Sequence, residues 1–205
     1  MFISFEGIEG SGKSTQIDLL ESSLKDLGHN VKKLREPGTT LLGERVREIF
    51  LEKTNETIDP ITEAFLLYAS RNHLDANILR KNLDNGSIVI ADRYADATIA
   101  YQCYGKGLSI DFIDYIHEES KLLIPDLTFY MDISAKKSKE RISLREMDRM
   151  ESESLEFFEK VRQGYLEIAA KSPDRVVCLD AEKSIEELKT EILNKTLEKI
   201  NAAME

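Results

Sequence analysis

The chain has 205 residues, of which 41% are hydrophobic and 32% charged; this fits one globular domain burying about 70% of its unfolded surface. Its net charge of −10 argues against nonspecific binding to nucleic acid or to an anionic membrane, since both need a basic field, so an anionic ligand must be held by a few local cations. No segment approaches the roughly 18 to 20 apolar residues of a bilayer span, and the opening MFISFEG carries no basic leader, so a soluble cytoplasmic protein is expected.

The first predicted element is the strand FISF (2–5), followed by a Gly-rich turn and the helical spacing of STQIDLLESSL, which Gly28 ends. VKKL (31–34) reads as the second strand, Pro60 opens a further helix, and Asn85-Gly86 turns the chain into the strand SIVIA (87–91). After Pro125 come LTFYMDI (127–133), a helical stretch, the charged segment RISLREMDRMES (141–152), another helix and RVVCL (175–179). Strands alternating with longer amphipathic stretches predict an α/β fold with a mostly parallel sheet. The segment 141–152 lacks an apolar face and reads as a mobile segment between two helices. Cys103 and Cys178 lack a CxxC partner or nearby His cluster and are expected to be free, buried thiols.

The turn after the first strand, GIEGSGKS, fits GxxxxGK[ST] in the strand-to-helix context that the pattern requires. Backbone N–H groups from Gly7, Ile8, Glu9, Gly10, Ser11, Gly12, Lys13, Ser14 and Thr15 would face the phosphates of ATP, with the positive end of the helix behind them. Lys13 would reach the β- and γ-phosphates, and Ser14 would ligate Mg²⁺. Glu9 is anomalous, because it puts a carboxylate inside an anion cradle. In SIVIADRY, Asp92 stands at the end of an apolar strand, where it could hold a Mg²⁺-bound water beside the phosphate crevice, and Arg93 could clamp a phosphoryl oxygen. The guanine-reading NKxD pattern is missing, as is the early loop lysine of partitioning ATPases. Arginines recur instead at 35, 47, 71, 93, 141, 145 and 149, a supply of planar forks suited to two facing phosphate chains.

Together with Arg35-Glu36-Pro37-Gly38-Thr39, Ala69-Ser70-Arg71, DRYADATIAYQ (92–102) and DRME (148–151), these motifs resemble the bacterial thymidylate kinases over nearly the whole chain. The resemblance implies a P-loop kinase fold with a five-stranded parallel sheet flanked by helices, forming a single domain over residues 1–205 with a lid at about 141–152. It also implies ATP as co-substrate, Mg²⁺, a homodimer, and transfer of a phosphoryl group from ATP to dTMP. Residue by residue, it implies that Arg47 holds the acceptor phosphate and that Arg93 bridges the donor and acceptor phosphates. Arg71, Thr98 and Gln102 would read the thymine, Tyr101 would favour deoxyribose, and Pro37 would cover the pyrimidine. Arg141 would stack on adenine, while Arg149 and Arg145 would bring the catalytic charge that this phosphate loop lacks. Glu9 would accept from the acceptor's 3′-hydroxyl and so face away from ATP. Leu67 departs from the pattern, standing where the family usually presents a phenylalanine for stacking on the base. The competing readings are a kinase for UMP, CMP or AMP, and a noncatalytic ATP-binding protein.

Overall fold

The computed structural model of the chain describes residues 1–143 and 148–202. Five parallel strands form one sheet: β1 (Phe2–Glu6), β2 (Val31–Arg35), β3 (Ile88–Asp92), β4 (Leu127–Asp132) and β5 (Val176–Asp180), in the order β2-β3-β1-β4-β5. This is the expected P-loop kinase sheet, with observed strand limits within two residues of the sequence reading. Position in the sheet was already encoded in composition. The inner strands FISFE, IVIAD and LTFYMD are almost continuously buried, as strands covered on both faces must be. The outer strands VKKLR and VVCLD mix buried and open positions, and the exposed Lys32 and Lys33 guard the β2 edge. On the edge strand β5 Cys178 is exposed, correcting the expectation of two buried thiols; Cys103 is buried, and both are free.

Side chains alternate between two cores, following the period of two along a strand. Phe2, Leu34, Val89 and Ala91 pack with Leu74 and Leu79. Ile3, Phe5, Ile88 and Ile90 pack with Ile17, Leu20 and Leu24 of helix α1 (Lys13–Asp26). Along the chain come α2 (Leu41–Leu51), α3 (Pro60–Leu74), α4 (Arg80–Asp84) and α5 (Ala95–Thr98), then α6 (Ile110–Glu119), α7 (Ala135–Ile142), α8 (Leu155–Lys171) and α9 (Ile185–Ala202). Asp59 starts α3 by accepting from the N–H groups of Ile61 and Thr62, with Pro60 in the first turn, where its missing N–H costs nothing.

The chain leaves β1 toward β2 on one side of the sheet and leaves β3 toward β4 on the other, so a crevice opens beyond the carboxyl ends of β1 and β3. Its rim carries the wider turns. Residues Ile99–Gly105 form a π-helical turn packed on α8, a geometry found chiefly at functional positions. The segment 141–152 is partly helical: its first two residues complete α7, whereas Asp148–Glu151 form a turn in which Glu151 N–H donates to Asp148 Oδ1 and Met150 is buried.

Candidate active site

The Gly-rich turn wraps the start of α1. Gly7 takes φ 138° with its Cα pressed against β4, where a Cβ would lie 2.7 Å from the Met131 carbonyl oxygen; Gly12, at φ 90°, turns the chain into the helix. Helix α7 clamps the tip of the loop: Ser138 Oγ donates to Glu9 O at 2.7 Å and Arg141 Nη1 donates to Gly10 O at 3.0 Å. Lys13 Nζ lies inside the loop, donating to Gly7 O at 2.8 Å and Ile8 O at 3.1 Å. Burial and the neighbouring Arg93 cation depress the Lys13 ammonium to about 8.

A cavity of about 430 Å³ lies against this loop. Glu9, Gly10, Gly12, Lys13, Ser14 and Thr15 line one side, with Asp92 and Arg93 at the end of β3. Pro37, Arg47, Leu67, Arg71, Thr98, Tyr101 and Gln102 line the remainder. Gly7, Ile8 and Ser11 shape the loop from behind the wall, and Arg141 sits at the loop's outer edge, its Nη2 also donating to Ala181 O at 3.1 Å. The placement of Arg145 falls outside the described residues. Arg149 is engaged elsewhere: its guanidinium donates to Glu63 Oε1 at 3.0 Å and to Phe50 O at 3.0 Å and lies 5.6 Å from the Phe50 ring centroid.

The Glu9 carboxylate reaches Arg93 and Tyr101. Arg93 Nη2 donates to its Oε1 at 2.5 Å and the Tyr101 hydroxyl to its Oε2 at 2.9 Å. Burial pushes the Glu9 carboxyl up, but Arg93 and Lys13 outweigh it and hold the group below the usual carboxylate range. Arg93 is braced from the other side as well, with Nη1 donating to Tyr165 Oη at 3.3 Å while that hydroxyl donates to Glu6 Oε2 at 3.0 Å. Its backbone has φ 68°, a left-handed conformation costing a non-glycine residue about 1–2 kcal/mol. Strain of this kind persists where surrounding contacts over-determine it, commonly at a site of function.

Cations converge on one end of the cavity, where Arg35, Arg47 and Arg93 all line the wall. Arg47 is half-buried, and desolvation followed by repulsion from Arg35 and Arg93 lowers its affinity for a proton. Such a cluster calls for an anion. At the other end, buried Arg71 donates through Nε to Glu36 Oε2 at 2.6 Å and through Nη2 to Tyr94 O and Thr98 Oγ1. Burial opposes its charge, but Glu36 more than restores it and raises Arg71 above its ordinary range. Arg71 Nη1 and Gln102 Oε1 are buried and without hydrogen-bond partners. One free donor and one free acceptor on two residues that line one cavity suit a planar heterocycle with both functions on its edge.

Leu67 does line the cavity, packed with Val46 and Phe50. Phe65 faces outward against Phe112, and Tyr68 lies beneath the Arg71 guanidinium, so neither substitutes for a base-stacking ring. Besides Tyr94 and Tyr101, the wall carries the ring of Phe50 of α2. Sequence reasoning passed over it, as it passed over Glu6, Glu36, Glu63, Ser138 and Tyr165. The apolar position in VREIF gave no sign of facing a ligand; for the buried acids, an acid in an apolar run (FISFEG) was a usable signal.

Comparison with known proteins agrees with this geometry. The family model described as thymidylate kinase matches residues 5–192. A thymidylate kinase of Thermoanaerobacter sp. (strain X514) is 40% identical over 194 residues, covering 94% of this chain and 95% of the relative. One from Sulfurihydrogenibium sp. (strain YO3AOP1) is 44% identical over 188 residues, covering 91% and 92%. The crystal structure of thymidylate kinase from Ehrlichia chaffeensis superposes with a TM-score of 0.80 at 33% identity, covering 96% of this chain and 98% of that one.

Proposed function

The chain belongs to the thymidylate kinase family and phosphorylates dTMP to dTDP with ATP in the supply of dTTP; from that premise we propose how the residues of its cavity divide the work. The observation that carries the proposal is the half-buried Arg47, repelled by Arg35 and Arg93, with all three arginines sharing one cavity with the Gly-rich loop. Two phosphate chains brought face to face would relieve that repulsion.

In this reading the backbone of residues 7–15 and Lys13 hold the donor triphosphate, and Arg141, anchored at the loop's outer edge, packs on adenine. Arg47 holds the acceptor phosphate. Arg93 sits between the two and stabilises charge as an acceptor oxygen bonds to the γ-phosphorus and the bond to the ADP oxygen breaks. Ser14 and Asp92 offer hard oxygen donors on the same wall and fit Mg²⁺, which commonly takes one or two protein ligands and completes its shell with phosphate and water. When bound, the ion neutralises phosphate charge. Arg71, Thr98 and Gln102 read the thymine edge, Pro37 and Leu67 pack on the ring, and Tyr101 crowds the 2′ face of the sugar. Arg149 and Arg145 supply further charge during transfer, for which Arg149 must exchange Glu63 for phosphate. Residues 1–205 act as a single domain with 141–152 as its lid, in a cytoplasmic homodimer. Among the described residues no helix is long and apolar enough to cross a membrane.

Glu9 is assigned to the acceptor's 3′-hydroxyl. Its two oxygens already accept from Arg93 and Tyr101, and each retains a lone pair for a further donor. A hydrogen bond to a charged group contributes roughly 1.5 to 3 kcal/mol, so the protein should prefer dTMP to 3′-deoxy-dTMP by about ten- to a hundred-fold in kcat/KM. Removing the side chain (Glu9→Ala) and the hydroxyl separately and together forms a double-mutant cycle that subtracts the effect of releasing Arg93. A coupling near the stated size supports the assignment. Additive losses would refute it.

A further inference from the structure

Glu63, on the first turn of α3, is fully buried, does not line the cavity, and receives three donors. Lys106 Nζ donates to its Oε1 at 2.7 Å, Arg149 Nη2 donates to the same oxygen at 3.0 Å, and Gln102 Nε2 donates to Oε2 at 3.0 Å. We propose that Glu63 is a specificity-determining positioning residue: by accepting from Gln102 Nε2 it fixes the side-chain amide so that Oε1, an acceptor, is the atom left for the base. This rests on the assignment of Gln102 to the base and extends it from which residue reads to what sets the polarity of the reading.

A primary amide has two faces, one donating and one accepting, and can present either by rotating. Nothing in Gln102 itself chooses between them; the carboxylate behind it does, because an ionised carboxylate only accepts. The Gln102 nitrogen is thereby committed, and Oε1 is the buried atom without a partner on a residue that lines the cavity. An acceptor there matches the N3–H of an imide base such as thymine or uracil. It opposes cytosine, whose N3 is itself an acceptor. Lys106 and Arg149 add a second constraint. Both can only donate, so they hold whatever acceptor stands at position 63 toward themselves. In Glu63→Gln the new carbonyl stays with the two cations, its NH₂ faces Gln102, and the Gln102 amide turns over to present NH₂ to the base. The polarity of the reading is inverted with almost no change in shape.

The test is steady-state turnover of the full-length protein with dTMP, dUMP and dCMP at saturating ATP. Glu63→Gln should lower the dTMP-to-dCMP ratio of kcat/KM by about tenfold or more, since a hydrogen-bonded site discriminates through the groups it would leave unpaired. The loss should fall mainly in the KM for dTMP. The dTMP-to-dUMP ratio should not move, because those bases share the same edge, and Glu63→Asp, which keeps an acceptor, should retain most of the discrimination. A merely structural role would lower turnover with all three acceptors alike and leave both ratios unchanged; that result overturns the proposal. If Glu63→Gln is poorly folded because two cations lose their counter-charge, the double variant Glu63→Gln/Lys106→Met removes one of them and is read in the same way. Gln102→Ala separates the two layers of the inference. If it leaves the dTMP-to-dCMP ratio intact, the base-reading assignment fails and this proposal with it. If it lowers the ratio while Glu63→Gln does not, Gln102 reads the base and Glu63 does not set its polarity.

Discussion

Glu9 and Glu6 stand three residues apart on either side of Gly7, and their surroundings drive them in opposite directions. Glu9 is held ionised by Arg93 and Lys13 against the cost of burial. Glu6 accepts from Tyr94 N–H at 2.7 Å and from the Tyr165 hydroxyl, yet burial, reinforced by the nearby Asp96, pushes it from 4.5 up to about 8. A carboxyl raised by folding binds a proton in the native state that the unfolded chain has released, so its stabilising contribution is complete below about pH 4.5 and is lost as pH rises toward 8. Glu6→Gln keeps the shape and removes the titration. Denaturant midpoints of the two proteins should therefore converge near pH 5 and separate near pH 8, with the variant the more stable by up to a few kcal/mol. Parallel midpoints across that range would show that Glu6 remains ionised in the fold. The sequence exposed Glu9 as an oddity and passed over Glu6. It could not assign their states, because Arg93, Tyr94, Tyr101 and Tyr165 approach them only through the fold.

The elements themselves were readable to the extent that they rest on local chemistry. Strand burial, the Asp59-Pro60 helix start and the strand–loop–helix at the phosphate site all follow from neighbours in sequence, and each is present. The π-helical turn at Ile99–Gly105 and the role of α2 were not readable, since one depends on packing against α8 and the other on how α2 is laid beside α3. That docking explains how Leu67 can replace an aromatic residue: Phe50 of α2 packs against it and faces the same cavity. A ring–ring contact contributes about 0.5–1.5 kcal/mol beyond area burial, so Phe50→Leu should raise the KM for dTMP several-fold and leave that for ATP unchanged. An unaltered KM for dTMP would confine Phe50 to packing under Arg149, whose guanidinium lies against the same ring.

At the scale of the whole molecule, a strongly acidic chain concentrates its cations where two anions must meet. The net charge of −10 coexists with a cavity lined by Lys13, Arg35, Arg47, Arg71 and Arg93. The parallel sheet makes this possible by bringing the ends of β1 and β3 side by side, with the loop after one facing Arg93 after the other across the Glu9 ion pair. In the proposed division of roles, donor phosphates, acceptor phosphate and base edge fall along one continuous wall. Such an arrangement would separate an acceptor kinase from a protein that only binds ATP, and the free donor of Arg71 with the free acceptor of Gln102 would suit an imide edge such as that of thymine or uracil. The most direct measurement is ADP release in a coupled assay with dTMP, UMP, CMP and AMP offered separately to the same preparation. dTMP should be turned over with a kcat/KM at least about a hundred-fold above the others: CMP and AMP would leave buried groups on the base edge unpaired, and UMP, which shares that edge, would bring its 2′-hydroxyl against Tyr101. Equal or faster turnover of UMP, CMP or AMP, or ATP binding without acceptor-dependent ADP release, would contradict the account.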